Sequence, residues 1–356
     1  MTILGIESSC DETAAAVVKS GDNGHTLLSN VVATSMDLHA QYGGVVPEVA
    51  ARSHIEFIMP VVAQALDDAH CTWDDIDAIA VTYGAGLGGS LLVGVLAART
   101  LAITKQKPLY AINHVEAHVY ANFLTGTSLP GYKLPAAPPV FPMLALIVSG
   151  GHSQLALFED HFKYRLLGQT QDDAIGEAYD KVAKILGLPY PGGPSVSKKA
   201  LEGDAHAYKL PKARLEHKYD FSFSGLKTAV LRLAQELVGK DFTLPSTELP
   251  GLLNEQQKAD IAASFQRTAV ETVVDKAALA FEEFAPKSVV IAGGVAANSE
   301  LRRQLAERLP LPVAYTDIKL CTDNGAMVAA LGCYKAVLGQ PTADPYTLET
   351  APNLSM

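Results

Sequence analysis

The strongest constraint on this chain is that it repeats itself. ILGIESSCDETAAAVV (residues 3–18) and MLALIVSGGHSQLALF (143–158) each run from an apolar strand through a turn of small or polar residues into a second apolar strand. That is the pattern of a β-hairpin. Farther along each half come a strand, a glycine turn and a helix: IDAIAVTYGAGLGGSLLVGVLAARTLA (76–102) and KSVVIAGGVAANSELRRQLAE (287–307). Motifs that recur in the same order point to a diverged duplication. Residues 78–82 and 289–292 are apolar but for Thr82, as strands covered on both faces are, so each half is expected to be an α/β unit. Ligands of such folds gather where glycine turns and helix N-termini converge, and a site between the halves is expected.

The remaining landmarks fit two domains. With 356 residues, 48% of them hydrophobic, the chain can bury a large core. Residues 55–70 and 259–284 carry apolar positions at helical spacing, the second stopping before Pro286. The Pro- and Gly-rich stretch 126–142 reads as the linker between halves, and 239–251 as a peripheral loop. The expected division is 1–130 and 131–335, with a helical insertion at about 170–285 and a tail, 336–356, that packs back on the first domain. The N-terminus MTILGIESSCDET lacks a basic region followed by a long apolar run, and no later apolar run long enough to span a bilayer avoids polar interruption, so the cytoplasm is expected and a membrane is not. Cys10, Cys71, Cys321 and Cys333 have no CxxC spacing and read as reduced thiols. A net charge of −10 does not favour autonomous nucleic-acid binding. The exception is local: residues 198–232 hold eight basic side chains against four acidic ones, although from charge alone a solvated surface of mixed sign is the simpler reading.

Several short stretches could carry chemistry. The turns in ESSCDET (7–13) and VSGGHS (148–153) let backbone amides approach an anion closely, and their equivalent placement in a duplicated fold strengthens that reading. AGGVAANSELRR (292–303) adds a glycine turn at a helix start, where Asn298 could read a ligand or simply cap the helix. In INHVEAHV (112–119), His114 and His118 lie four residues apart, on one helical face, the spacing that lets two imidazoles hold one metal ion. The zincin pattern H-E-x-x-H needs its acid directly after the first histidine. Here the acid is Glu116, roughly 200° around the helix from His114, which removes the peptidase base. Asp323 in CTDNGAM (321–327) is a candidate third ligand, or else a helix cap. Asp180 in GEAYDKVAKILGLPYPGGP (176–194) could bind ligand hydroxyls, or pair with Lys181 or Lys184 on a solvated helix.

Taken in order, GIESSCDET, GGVVPEVAARSH, NHVEAH, VSGGHS, GEAYDKVAKILGLPYPGGP, FSFSGLKT, GGVAANSELR and TDNGAM resemble the tRNA adenosine threonylcarbamoyltransferase family in its bacterial TsaD type, from residue 3 to about 335. The resemblance implies a two-domain α/β fold of the actin, hexokinase and Hsp70 type with a nucleotide cleft. It implies transfer of the threonylcarbamoyl group from threonylcarbamoyladenylate to the exocyclic amine of the adenosine beside the anticodon, in tRNAs reading codons that start with A, releasing AMP. Carried onto this chain, His114, His118, Asp323 and Ser9 would hold one divalent ion, iron or zinc. Ile147, Val148, Ser149, Gly150, Gly151, Asp180, Gly193 and Asn298 would hold the adenylate, and Asp11 and Glu12 would act as acid–base or positioning groups. The implied companions are tRNA, TsaB-like and TsaE-like proteins and a TsaC-like synthase that supplies the donor; homodimer formation is left open. The competing readings are a metallopeptidase (glycoprotease), suggested only by the two histidines, and an actin-fold small-molecule kinase, which would share the fold without needing the histidine pair. A noncatalytic scaffold would be expected to lack the metal residues, and this chain has them.

Overall fold

The computed structural model describes residues 1–21 and 24–356. The chain divides into two compact units, one formed by residues 1–139 with 314–356 and the other by residues 140–313. In the first unit, β1 (Thr2–Glu7), β2 (Glu12–Gly21) and β3 (Gly24–Thr34) form an antiparallel meander. Helices α1 (Met36–Ala40) and α2 (Pro47–Asp68) follow, then β4 (Ala78–Gly84), α3 (Gly88–Lys105), β5 (Leu109–Asn113), α4 (His114–Tyr120) and β6 (Leu124–Thr127). The sheet order is β5-β4-β1-β2-β3-β6, with β4 parallel to β1 and β5 parallel to β4.

The second unit repeats this plan. Its elements are β7 (Met143–Val148), β8 (Ser153–Asp160), β9 (Lys163–Gln169), α5 (Ile175–Leu186), α6 (Gly192–Ala200), α7 (Ser224–Leu237), α8 (Leu249–Leu252), α9 (Glu255–Phe284), β10 (Ser288–Ala292), α10 (Ser299–Arg308) and β11 (Val313–Tyr315). The sheet order β11-β10-β7-β8-β9 matches the first five strands of the other sheet position for position. The duplication expected from the hairpins and glycine turns is thus present as topology.

The central strands are buried end to end because helices cover both faces. In β1, Leu4 and Ile6 join Ala15 and Val17 of β2 in a core with Ile58, Val62 and Ala65 of α2 and Val95 and Ala98 of α3. The alternate residues Ile3 and Gly5 face the last helix, α11 (Gly325–Val337), as the two-residue period of a strand requires. Contact on that side is close: a Cβ on Gly5 would lie 2.4 Å from the Ala329 nitrogen, and one on Gly325 2.5 Å from the Ala15 carbonyl carbon. Glycine at both positions is what lets α11 rest on the strand backbone.

The boundaries differ from expectation at three places. Residues 314–335, expected in the second domain, belong to the first unit, because α11 buries its apolar length on β1 and β2. The first division falls at 139/140, at the end of the Pro-rich segment. Helix α2 starts at Pro47 rather than residue 55; Pro at the first helical position is a start signal that the apolar periodicity did not carry. The tail 336–356 packs on the first unit: Arg99 donates to the carbonyl oxygens of Pro345, Tyr346 and Leu348, and the Ala351 N–H donates to the Tyr83 carbonyl. Helix α3 is apolar and long enough to cross a membrane, but here it packs on α2 and β4 and buries Leu91, Val95, Ala98 and Leu101.

Candidate metal centre

The site begins where β5 ends. Asn113 caps α4, its Oδ1 accepting from the N–H groups of Val115 (2.9 Å) and Glu116 (3.2 Å), so the helix starts at His114 and puts His118 one turn later on the same face. The two rings are 4.7 Å apart at their centroids and nearly perpendicular. Asp323 reaches them from just before α11. Its Oδ1 lies 3.2 Å from His118 Nε2 and 3.6 Å from His114 Nε2. Asn324, not Asp323, caps α11, accepting from the Met327 N–H at 3.0 Å, which leaves the neighbouring carboxylate for the histidines.

These three residues offer one ligand atom each, all within 4.8 Å of one another. The pocket suits a cation. His118 is 2% exposed, its Nδ1 has no hydrogen-bond partner, and its Nε2 faces the Asp323 carboxylate at 3.2 Å without hydrogen-bond geometry, an arrangement that a metal ion between the two would suit. Carboxylates also crowd the site. Burial, then the charges of Asp323 and Asp11, push the Glu12 carboxyl up to about 10. Burial disfavours the His114 imidazolium, yet Asp323 and Glu7 outweigh it and push that ring up to about 9. The clustered carboxylates therefore draw protons onto Glu12 and His114, and a divalent ion could take the place of that positive charge. Two imidazoles and a carboxylate suit zinc or ferrous iron.

Ser9, expected among the metal ligands, stands on the other side of His114. Its Oγ is 3.0 Å from Nδ1, whereas the nitrogen turned to Asp323 is Nε2. This placement makes Ser9 an orienter of the ring. Glu7, absent from the expected site residues, does more. Its fully buried carboxylate accepts from the Ser9 N–H (2.6 Å) and from the Thr82 hydroxyl (2.5 Å), and it lies 3.4 Å from His114 Nδ1. The signal in the sequence was an acid ending an otherwise apolar strand. Glu116 is buried with Oε1 unpartnered, and burial, tempered by Lys335, pushes it up to about 7. Its charged neighbour is Lys335 of α11, consistent with a side chain turned from the metal face.

Asp11 lies in the turn between β1 and β2 and Glu12 opens β2; both are half-buried. The turn is held by the start of α3: the Leu87 N–H donates to the Ser9 carbonyl (2.7 Å), and the Ser90 hydroxyl to the Cys10 carbonyl (3.0 Å).

The expected adenylate residues belong to the second unit. Ile147 and Val148 are fully buried in β7. The Ser149–His152 turn closes through the Ser149 N–H on the His152 carbonyl (2.8 Å) and the His152 N–H on Ser149 Oγ (3.1 Å). A Cβ on Gly150, Gly151 or Gly193 would meet nothing within 4 Å, so all three backbones are open to an approaching group. Asp180 accepts from the Gly192 N–H at 2.7 Å, tying α5 to the start of α6, while Lys181 pairs with Asp173 (2.7 Å) and Glu177 (2.8 Å). Asn298 caps α10 through the Leu301 N–H (2.9 Å), and its amide nitrogen reaches Ser197 Oγ and Gln266 Oε1, both at 3.0 Å. Its cap role is thus realised, and its amide is engaged within the unit.

Comparison with known proteins bears on this geometry. Residues 26–330 match the family model described as TsaD, tRNA N6-adenosine threonylcarbamoyltransferase. A tRNA N6-adenosine threonylcarbamoyltransferase from Thermomicrobium roseum is 49% identical over 346 residues, covering 95% of this chain and 93% of that protein. One from Symbiobacterium thermophilum is 50% identical, covering 93% and 91%. Among solved structures, full-length HypF in its phosphate- and nucleotide-bound form is 14% identical with a TM-score of 0.56, covering 95% of this chain and 46% of that one. That likeness concerns the fold and accords with the actin- and hexokinase-like architecture. With the match spanning most of its length and its histidine pair closed by Asp323, the chain belongs to the tRNA N6-adenosine threonylcarbamoyltransferase family.

Proposed function

We infer that this protein transfers a threonylcarbamoyl group from threonylcarbamoyladenylate to N6 of the adenosine beside the anticodon of tRNA, releasing AMP. The observation that carries the reading is the convergence of His114, His118 and Asp323 in a chain of this family. An acyl adenylate is already activated, so no covalent nucleophile is needed; the protein must position the amine and stabilise charge as AMP leaves. A zinc or ferrous ion held by these three residues would supply Lewis-acid polarisation. Glu7 and Ser9 orient His114 from behind. The open backbones of Gly150, Gly151 and Gly193, with Asp180, are the donor-binding surface in this reading.

Asp11 and Glu12 are proposed to handle the amine proton or to place the amine. In the metal-free protein Glu12 is pushed up to about 10, so it holds its proton at neutral pH; Asp11 is then the stronger candidate for acceptor. Single-turnover transfer in Asp11→Asn and Glu12→Gln, with donor and tRNA saturating, tests this, and unchanged rates in both would remove them from the chemistry. The central test is incubation of the chain, TsaB-like and TsaE-like companions, donor and unmodified tRNA, followed by nucleoside mass analysis. The threonylcarbamoyl adduct of adenosine is expected, lost in His118→Ala and in Asp323→Asn. No adduct from the wild type with its companions would overturn the reading.

For tRNA, the basic stretch 198–232 needs sharpening. Four of its cations are engaged: Lys199 with Glu202 and Glu255, Lys212 with Glu271 and Asp275, Lys218 with Glu283, and Lys227 with Asp173. Lys209 and Arg232, both exposed, line one concavity of about 760 Å³ beside Pro211 and Ser224. We place tRNA backbone there. Charge reversal at both should lower the slope of log affinity against log salt by about 2, and an unchanged slope would exclude the surface. With tRNA as substrate and a TsaC-like synthase as the source of the donor, the cytoplasm is the compartment this reading assigns.

A further inference from the structure

The turn that carries Asp11 and leads into Glu12 is gripped by two fully buried histidines outside the metal centre. His54, on α2, has Nε2 at 3.0 Å from the Cys10 carbonyl oxygen and Nδ1 at 2.7 Å from Thr13 Oγ1. A carbonyl can only accept, so Nε2 carries the hydrogen and Nδ1 accepts from the threonine hydroxyl. His39, in α1, receives the Val46 N–H on Nδ1 at 3.3 Å. A backbone N–H can only donate, so here too the hydrogen is on Nε2, which lies 3.1 Å from Ser35 Oγ. The Ser35 hydroxyl then donates to the Asp11 carbonyl oxygen at 2.8 Å. Three residues on either side of Glu12 are thereby fixed: Cys10 by His54, Asp11 by Ser35 backed by His39, and Thr13, at the start of β2, by His54 again.

The far end of this chain is a loop built to reach His39. Residues 41–46 fold back on it: Gly43, at φ +70° a conformation that favours glycine, donates to the Ala40 carbonyl, and the Gly44 N–H donates to the His39 carbonyl at 3.3 Å. The Val46 N–H then lands on the ring just before Pro47 opens α2.

We propose that His39 and His54 are positioning residues for the transfer, two neutral imidazoles in the Nε2–H tautomer that together fix the direction in which Asp11 and Glu12 face. The proposal rests on the reading above, in which that turn serves the transfer. Neither ring touches the metal ligands His114, His118 or Asp323 in the contacts described, so their loss should leave metal binding intact.

Two measurements test it. In nitrogen-15 histidine-labelled protein at neutral pH, long-range proton–nitrogen correlation, assigned with His39→Gln and His54→Gln, should show both rings neutral with the hydrogen on Nε2. A hydrogen on Nδ1 of either ring, or a charged ring, would overturn the proposal. This readout does not depend on activity and stands even if the wild type makes no adduct, a failure that would fall on the proposed function instead. In the reconstituted assay, His39→Ala and His54→Ala should lower kcat roughly tenfold or more while leaving KM for tRNA and zinc affinity unchanged, with partial recovery in the Gln variants, whose amide can donate where Nε2–H did. If the alanine variants do not fold, the Gln variants carry the test through a smaller drop in kcat at unchanged KM. Wild-type kcat in folded, metal-loaded variants would refute the positioning role.

Discussion

Replacing Gly5 by alanine should weaken metal binding at the candidate site, although Gly5 is not one of its three residues. The added Cβ would sit 2.4 Å from the Ala329 nitrogen and 2.5 Å from the Gly325 carbonyl oxygen, both backbone atoms of α11. Comfortable contact begins at about 3.5 Å, so the helix must back away by roughly 1 Å. Asp323 lies two residues before the first residue of α11 and moves with it. Metal–ligand distances tolerate only about 0.2 Å, so a retreat of that size degrades the three-residue site towards a two-imidazole one. The expected loss is about ten- to hundredfold in zinc affinity, or about 1.4–2.8 kcal/mol, beside an overpacking cost of about 1–3 kcal/mol in stability. Gly332→Ala is the control. Its Cβ would meet the Ala80 Cβ at 2.6 Å and Ile3 Cγ2 at 3.2 Å, roughly 10 Å along the same helix from Gly325. It should destabilise comparably with a much smaller effect on zinc. Calorimetric zinc titration and thermal unfolding of both variants decide the matter. If Gly5→Ala binds zinc as tightly as the wild type, or if both variants lose zinc in proportion to stability, the coupling does not run through the N-terminal turn of α11.

Asn113→Ala removes the α4 cap and its donation to the Ser355 carbonyl; thermal unfolding should show about 1 kcal/mol or more lost, with weaker zinc binding because His114 opens that helix. Zinc affinity should rise with pH. The metal-free His114 ring is held up to about 9 and metal must displace its proton, so each unit from 7 to 9 should add about tenfold, levelling above; a flat calorimetric profile would contradict the Glu7 and Asp323 pairing. Gly150→Val and Gly193→Val meet no neighbour at Cβ, so unfolding should shift by no more than about 0.5 kcal/mol, while KM for the donor rises; an unchanged KM would remove these turns from the donor surface.

The sequence made some of this legible because the relevant forces are local. Apolar strands with small-residue turns declared both hairpins, and the four-residue spacing put His114 and His118 on one face. What stayed hidden depended on distant partners. Asp323 and Asn324 are adjacent and both can cap a helix; only the packing of α11 shows that Asn324 does so and leaves Asp323 to the histidines. Asn298 admitted a cap or a ligand role, and the cap is evident once Ser197 and Gln266 are seen around its amide. Glu7 escaped notice because its partners, Thr82 and His114, lie 75 and 107 residues away. The basic stretch misled in part, since charge counting cannot see that Lys212 is occupied by Glu271 and Asp275 on α9.

The return of α11 to the first unit has a consequence for biosynthesis. Strands β1 and β2 leave the ribosome early, but the helix that covers one of their faces begins only at Gly325, after the whole of the second unit has been made. At about 5–20 residues per second, that face waits roughly 15–60 s for its cover. Through that interval Ile3, Ala14, Ala16 and Val18 form an apolar ledge in water, open to holding chaperones and to neighbouring nascent chains. The three-residue site formed by His114, His118 and Asp323 cannot close before synthesis is nearly finished, so any ion it takes is taken by the completed chain, and stalled or truncated products lack the third ligand.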